Sequence, residues 1–557
     1  MRASTASASL HTLAEHNTQR NGISAGEFRT VLACSVVASL VAIAWSWANG
    51  ALLNYGDAVA HMHIARRVFD SHQPRLSQLG SVWLPLPHLL MLPFVQVYAW
   101  WANGVAGILP SALAYIASCV GIYRLARRWM PQAASAMALA FFALNPNLLY
   151  LQSTAMTEPL FLCEMVWISL WLVEWREYLD TDAEKARRLL TWITVGLIAA
   201  VFTRYDGWIM TALAWTGIGI ELLRRKRLKQ WTYWLLTVLI ALAPIAWFVY
   251  NQMAFGDWLE FSRGPYSAKA IELRTMTPGS GPPHPGWHNM WVSLIFFVKA
   301  AEMDAVAVAR GNFLLVVSVL ASVLAWLMRR KHGIGWALQL LWLPAPFYAY
   351  SVAYGSVPIF LPVWWPHSWY NTRYGMELLP AFALGVGFAA MLAVALTREF
   401  KPQAAKWAVA VLALVVVANA AELVREHPLV YIEGTKNIEA HRPYQQAIPP
   451  VLRAHLASQP GATVLMATSV DPEIVARTGI PLRQTINEAD LAIWDEALKA
   501  PAAHAALVLA FDGDAVDAAV KAQPEGLTAV AHFTAKGQPS GTLYTVANSS
   551  VPNAPAR

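Results

Sequence analysis

The sequence predicts an all-α polytopic membrane protein with a small α/β unit at its C-terminal end. Three observations predict it. Of 557 residues, 57% are hydrophobic and only 13% are charged, against about 25% charged in an average soluble protein. Apolar runs long enough to cross a bilayer recur along most of the chain. After residue 424 they stop, and short strand-like and helix-like stretches alternate. This pattern excludes a soluble globular enzyme, a disordered chain and a disulfide-rich secreted module. The 26 Trp agree with it, since many sit where an apolar segment meets a polar one, the depth at which Trp anchors to a bilayer.

Residues 1–29 are polar and are expected to form a disordered cytoplasmic tail. No cleavable signal peptide is evident. The first apolar run begins near Val31 and reads as a retained signal anchor. A spanning helix needs about 20 mostly apolar residues. Eleven segments qualify: 30–48, 109–127, 132–150, 158–175, 189–203, 208–223, 231–250, 311–328, 335–354, 376–397 and 404–423. Two further apolar stretches do not. The run 84–102 is cut by Pro85, Pro87 and Pro93, and 288–309 carries Lys299, Glu302 and Asp304, with Arg310 just beyond. Both are expected to be juxtamembrane helices on the outer face. Cys34, Cys119 and Cys163 each lie in an apolar run and read as small buried hydrophobes.

Charge sets the topology. The formal net charge is +7, from 41 Lys+Arg and 34 Asp+Glu. Residues 424–557 hold ten basic and thirteen acidic residues, leaving 31 against 21 in the membrane part. Such a balance does not imply nucleic acid, because basic residues flanking spans give the same number through the positive-inside rule. The clusters Arg124/Arg127/Arg128, Arg187/Arg188, Arg224–Arg227 with Lys229, Arg329/Arg330/Lys331 and Arg398/Lys401 all fall on one side if the spans are the eleven above. The N-terminus is then cytoplasmic and the C-terminus external. Counting either 84–102 or 288–309 alone as a span breaks this parity. The expected location is the cytoplasmic (inner) membrane, with domains at 1–29, 30–423 and 424–557.

The tail from 424 reads as a small extracytoplasmic α/β unit. ATVLMATSV (462–470) and HAALVLAF (504–511) are strand-like, VARTG, ADLAIWDEALKA and DAVDAAVKA are helical in pattern, and TAVAHFTA with GTLYTVA forms a closing hairpin. It holds no GxGxxG, no P-loop and no catalytic set, so a lid or docking unit is expected.

The outer face holds the candidate chemistry. Asp57 follows the first span in NYGDAVAHMHIARR, either as the N-cap of a short amphipathic helix or as a functional acid. Glu158 opens the fourth span in STAMTEPLF, and capping accounts for it equally well on its own. Arg204, Tyr205 and Asp206 form the outer turn TRYDGW, and Arg373 with Tyr374 stands in NTRYGMELLP before a span. One outer arginine could simply anchor to lipid headgroups. Two, each in an Arg-Tyr pair and facing the same compartment as two acids, point to anion binding, with phosphate the obvious anion. His61 lies one turn beyond Asp57 and shares its helix face. With Glu158, the histidines His61 and His63 could bind a divalent metal, but a hydrogen-bonding or interfacial role fits them at least as well. His367 in PHSWYN has the same standing, and no metal site is assigned.

Together these pieces resemble the GT-C superfamily of membrane glycosyltransferases that use lipid-phosphate sugar donors. The resemblance is to glycosyltransferase family 39 and its bacterial relatives, including protein O-mannosyltransferases and lipid A aminoarabinose transferases. It covers roughly residues 30–425. Its pieces are YGDAVAHMHIARR, PLPHLLMLPF…ILPSALAYIASCVGIYRLARRW, NPNLLYLQSTAMTEPL, TRYDGW and NTRYGMELLPAFAL. The resemblance implies Asp57 as catalytic base and Arg373 on the donor phosphate. Glu158 matches the family's second acid, although relatives often carry Asp there. Arg204 stands where many relatives have a basic residue. Part of the family has a DE pair in the first loop, whereas Asp57 is followed by Ala58, which argues against a eukaryotic-type protein mannosyltransferase.

The implied activity is transfer of a sugar, mannose or another hexose or pentose, from a polyprenyl-phosphate donor to a glycan, lipid or protein acceptor, by an inverting displacement. The residue chemistry fits this independently. A base must take the acceptor proton, and cations must stabilise the leaving phosphate. Asp57 is expected as base, Arg373 with Arg204 as phosphate clamp, and Glu158 as an orienting group. The competing class is a transporter or flippase for a polyprenyl-linked sugar, and Glu164, inside the fourth span, is the residue that favours it.

Overall fold

The computed structural model describes residues 23–276, 281–307, 311–328, 340–400 and 402–546. The basic cluster Arg329/Arg330/Lys331, Lys401, Arg310, residues 335–339 of one predicted span and residues 1–22 of the N-terminal tail lie outside these. The described chain is a helical bundle with a small five-stranded sheet at its C-terminal end. Six of its helical stretches are long and apolar enough to cross a membrane. They include Ala25–Ala48, Val105–Arg127, Ala183–Thr203 and Trp231–Phe255. The chain is a multi-pass membrane protein. Predicted spans 158–175, 208–223 and 311–328 are also helices, at Glu158–Tyr178, Asp206–Arg224 and Gly311–Met328. The described part of 335–354 includes the helix Pro344–Tyr354. Apolar side chains left uncovered by protein, such as Leu40, Val41, Leu239 and Leu414, lie on these bundle helices, as a lipid-facing surface requires.

One predicted span is corrected. Residues 132–150 are not one helix. The helix Gln132–Ala143 stops after 12 residues, about 18 Å. Asn145 then caps a second short helix, Pro146–Leu151, accepting from the Asn147 and Leu148 N–H groups. The apolar count runs through this break, whereas Asn-Pro is a helix-starting pair. The stretches 84–102 and 288–309 form Leu86–Val95 followed by Tyr98–Asn103, and Met290–Ala305.

The helix Glu158–Tyr178 links two separate charge layers. Glu158 at its start meets Arg204 and Arg373. Glu174 near its far end meets Arg124 at 3.2 Å, and Glu177 meets Arg128. Sixteen residues at 1.5 Å separate the two layers by about 24 Å. Glu27–Arg127 at 3.0 Å and Arg176–Glu221 at 3.3 Å belong to the second layer. Of the basic residues assigned to the inside, Arg124, Arg127 and Arg128 thus lie at the opposite end of the bundle from Glu158.

The helix Leu429–Ser458 leads into a sheet of order β2-β1-β3-β5-β4. Here β1 is Val464–Met466, β2 Thr485–Ile486, β3 Leu507–Phe511, β4 Leu527–Phe533 and β5 Gly541–Val546. β1 pairs parallel with β2 and β3, and β4–β5 is the antiparallel hairpin. The unit is bolted to the segment that follows the helix Ala25–Ala48. Asp70 accepts from the Leu482 and Arg483 backbone N–H groups at 3.3 Å, Gly56 N–H donates to Asn437 Oδ1 at 2.9 Å, and the Tyr55 hydroxyl donates to the Val430 carbonyl at 2.7 Å.

Two buried acids in this unit carry a pH signature. Burial pushes Asp471 up to about 6 and Glu473 up to about 7, with Arg477 partly opposing both. An acid whose pKa is higher when folded holds its proton better in the native state. Its contribution is therefore full below pH ~4.3, the unfolded value, and is lost as pH rises through about 7. Glu473→Gln removes the titration. The loss of unfolding stability between pH 5 and pH 8 is expected to be smaller in that variant than in wild type by about 2 kcal/mol. Chemical denaturation of both proteins at the two pH values checks it, and equal pH dependence would refute it.

Candidate active site

The site is a polar core at one end of the bundle, built on four separate stretches of chain and completed by Tyr348 and Glu433 from two more. The first is the helix Gly56–Arg67. Its N-cap is Tyr55, with no side-chain cap bond. Asp57 is therefore not a cap. Its Oδ2 lies 2.6 Å from Arg373 Nη2. The second is the start of Glu158–Tyr178, where Pro159 sets the first turn and Glu158 is buried. The third is the junction between Ala183–Thr203 and Asp206–Arg224, which holds Arg204. Gly207 is required there, since a Cβ would lie 2.2 Å from the Ala200 carbonyl oxygen. The fourth is a 3-10 turn, Thr372–Leu378, carrying Arg373. It presses on the helix Met290–Ala305 so closely that a Cβ on Gly375 would sit 2.4 Å from Ala301 N.

Arg373 spends every nitrogen on a different carboxylate. Nη2 donates to Asp57, Nε to Glu158 Oε1 at 3.1 Å, and Nη1 to Glu433 Oε1 at 2.7 Å. Burial alone would disfavour its charge, and these three acids offset that cost. Arg204 is similarly engaged. Nε meets Asp206 at 3.2 Å, Nη1 meets Thr157 Oγ1 at 3.0 Å and Glu158 at 3.3 Å, and Nη2 meets the Tyr348 hydroxyl at 2.7 Å and Glu377 at 3.2 Å. Glu158 Oε1 bridges the two arginines. Tyr374 lies beside both guanidiniums, 5.2 Å from each, and stacks on Tyr348.

Five carboxylates thus face two guanidiniums, and four of the five are buried. The exception is Asp57, whose side chain is 45% exposed against 6% for Arg373. The Asp57–Arg373 contact is where the cluster opens to solvent.

His61 belongs to the neighbourhood. Its Nδ1 lies 2.8 Å from His88 Nε2, and its ring packs on Trp83. Burial pushes it down to about 4, while Asp57 and Glu158 pull the other way, so it is neutral at pH 7. His63 does not join. It packs on Trp101, away from the acids, and burial with Arg67 and Arg66 pushes it down to about 3. His367 is exposed and its Nδ1 lies 3.0 Å from the Pro362 carbonyl. Tyr205 turns away as well, donating to the Val82 carbonyl at 3.1 Å and stacking on Phe261. Each of these three is close to a site residue in sequence, and the local backbone points it elsewhere. Among the described residues, no group of three or more His, Cys, Asp or Glu is placed to hold a metal ion.

Three members of the cluster are not singled out by the sequence. Glu377 sits one helical turn after Arg373, and an acid opening an apolar run is its signal. Tyr348 lies inside a predicted span, where a tyrosine draws no notice. Glu433 belongs to the helix Leu429–Ser458 of the C-terminal unit. Its carboxylate accepts from Asn371 N–H at 3.0 Å, Thr372 N–H at 2.8 Å, Thr372 Oγ1 at 2.5 Å and Arg373 Nη1. It fixes the turn, with Asn371 held at φ 55°, and the arginine together.

A membrane helix bundle with a small α/β unit at its C-terminal end is the fold class that the sequence predicts. No family model and no curated protein matches the sequence. Solved structures match the fold. ArnT from Cupriavidus metallidurans bound to undecaprenyl phosphate superposes with a TM-score of 0.55 at 14% identity, covering 95% of this chain and 100% of that one. The apo state of the same protein gives 0.53 at 14% identity, covering 93% and 98%. The chain therefore has the fold of these structures over nearly its whole length.

Proposed function

We propose that the protein is a glycosyltransferase that moves a sugar from a polyprenyl-phosphate donor to an acceptor hydroxyl at the outer face of the cytoplasmic membrane. The N-terminus is then cytoplasmic and the unit from 424 onward extracytoplasmic. The observation that carries the reading is the pair Asp57–Arg373, a half-exposed carboxylate on a buried guanidinium at the mouth of a polar core. The fold shared with a structure bound to undecaprenyl phosphate supports the donor class.

The arrangement suggests how the steps divide. The donor phosphate competes with Asp57 for Arg373 Nη2, the nitrogen nearest solvent, and displaces it. Asp57 is then free to accept the acceptor's hydroxyl proton. The acceptor oxygen forms a bond to the anomeric carbon as the carbon–oxygen bond to phosphate breaks, and the bonding pair leaves on the phosphate oxygen. Attack from the face opposite the leaving group inverts the centre. Arg373, fixed by Glu158 and Glu433, stabilises the charge that develops on the phosphate, and such preorganised donors act most strongly where water is excluded. Arg204 acts one step back, through Glu158, Asp206 and Tyr348.

A transporter reading rests on Glu164. In the structure Glu164 accepts from Thr203 Oγ1 at 2.7 Å inside the packed bundle, which gives it a structural role. The test is turnover in a nanodisc, which has no second compartment. Purified protein supplied with lipid and cell-envelope extracts from cells lacking it, which hold the unused polyprenyl-phosphate sugar and the unmodified acceptor, is expected to transfer the sugar to that acceptor and release polyprenyl phosphate, read by mass spectrometry. Glu164→Gln should retain most of that turnover. Accumulated donor without any turnover in the disc, or activity abolished by Glu164→Gln, would favour transport instead.

A further inference from the structure

The seam between the first outer loop and the C-terminal unit is not filled. A cleft of about 100 Å³ opens there, with Asn54 on one side and Arg442, Gln446, Glu473 and Arg477 on the other. Two helices of the C-terminal unit, Leu429–Ser458 and Glu473–Thr478, each bring one guanidinium to it. Arg442 makes no hydrogen bond or ion pair with another described residue. Arg477 donates from Nε to Glu473 Oε2, which leaves both of its Nη groups unspent. Glu473 Oε1 is buried and has no hydrogen-bond partner among the described residues. A buried acceptor left unpaired is costly, and a ligand hydroxyl would satisfy it.

The cleft is close to the reacting centre. Asn54 is three residues before Asp57, so the extended chain places them at most about 11 Å apart. On the other wall, Glu433 in the site and Arg442 in the cleft are nine residues apart on one helix, about 13 Å. Asn437 lies between them and accepts from Gly56 N–H, so the helix tracks the segment carrying Asp57. The lining is mostly polar, with Leu53 and Ile438 its apolar members, and carries no aromatic ring, which does not suit a polyprenyl tail. It suits a hydroxyl-rich group carrying a negative charge, because guanidinium forks match phosphate and carboxylate geometry.

We propose that this cleft is the acceptor subsite, taking the phosphate- or carboxylate-bearing sugar of an anionic glycan while a hydroxyl of that glycan reaches Asp57. The proposal rests on the reading of Asp57 as base. An anionic phospholipid headgroup offers the same phosphate without the sugar, so the experiment separates the two sources.

The test uses the full chain in phosphatidylcholine nanodiscs, with binding followed by saturation-transfer NMR. The probes are N-acetylglucosamine 6-phosphate, N-acetylglucosamine, inorganic phosphate and undecaprenyl phosphate. The sugar phosphate is expected to bind, with the neutral sugar and inorganic phosphate each about tenfold weaker or more. Arg442→Glu should weaken the sugar phosphate roughly ten- to a hundredfold. Arg442 is exposed and unpartnered among the described residues, so this variant should fold. It should leave undecaprenyl phosphate binding within about twofold of wild type. Absence of sugar-phosphate binding in wild type, equal binding of inorganic phosphate, indifference to Arg442→Glu, or displacement of the sugar phosphate by phosphatidylglycerol in the disc would each overturn the proposal. Failure of the donor reading shows separately, as wild type that does not bind undecaprenyl phosphate.

Discussion

Asp57→Asn is expected to lower sugar transfer about a thousandfold, within the range that removal of a general base produces, while leaving thermal unfolding unchanged. The side chain is 45% exposed, and a partly exposed ion pair contributes about 0–1 kcal/mol. The substituted amide would also keep an oxygen that accepts from Arg373. The same variant makes a second, less intuitive prediction. Because Asp57 and the donor phosphate compete for Arg373 Nη2, removing the carboxylate's charge should leave undecaprenyl phosphate binding as tight as in wild type, or tighter. Turnover and lipid binding measured on one preparation decide it. Near-normal turnover would remove Asp57 from the mechanism, and weaker lipid binding would make it a donor-binding group.

Much of this site is legible because membrane proteins carry few charges. Asp57, Glu158, Arg204 and Arg373 stand out as polar residues at the ends of apolar runs, and the structure brings all four together. The parity of basic clusters places them on one face before any contact is known. Glu433 is not legible. It lies 60 residues from Arg373, in a polar helix where one more acid reads as a solvated charge. Only the fold of the C-terminal unit against the segment after the first apolar helix brings it in. His63 and His367 fail for the opposite reason, since being near a site in sequence does not aim a side chain. Among the spans, hydropathy locates the helices, but it cannot see the break at Asn145, where local capping overrides an unbroken apolar count.

Arg373→Lys should be the most damaging charge-conserving change in the protein. Arginine reaches Asp57, Glu158 and Glu433 at once because its donors spread across a planar fork. A lysine ammonium concentrates three donors at one point and cannot meet all three. At least one of the three carboxylates then loses its contact with residue 373. Glu158 keeps Arg204 and Glu433 keeps its backbone donors, so the cost stays at or below about 3–5 kcal/mol, that of breaking a buried pair outright. Transfer is therefore expected to fall by about a hundredfold or more, as when a preorganised transition-state donor is removed. Undecaprenyl phosphate binding and the unfolding midpoint should fall with it. This pattern differs from Asp57→Asn, where chemistry is lost and binding and stability remain. The contrast separates a base at the mouth of the site from the buried cation behind it. If Arg373→Lys kept lipid binding and stability and lost only turnover, Arg373 would act on the transition state alone, and the displacement of Asp57 by donor phosphate would be wrong.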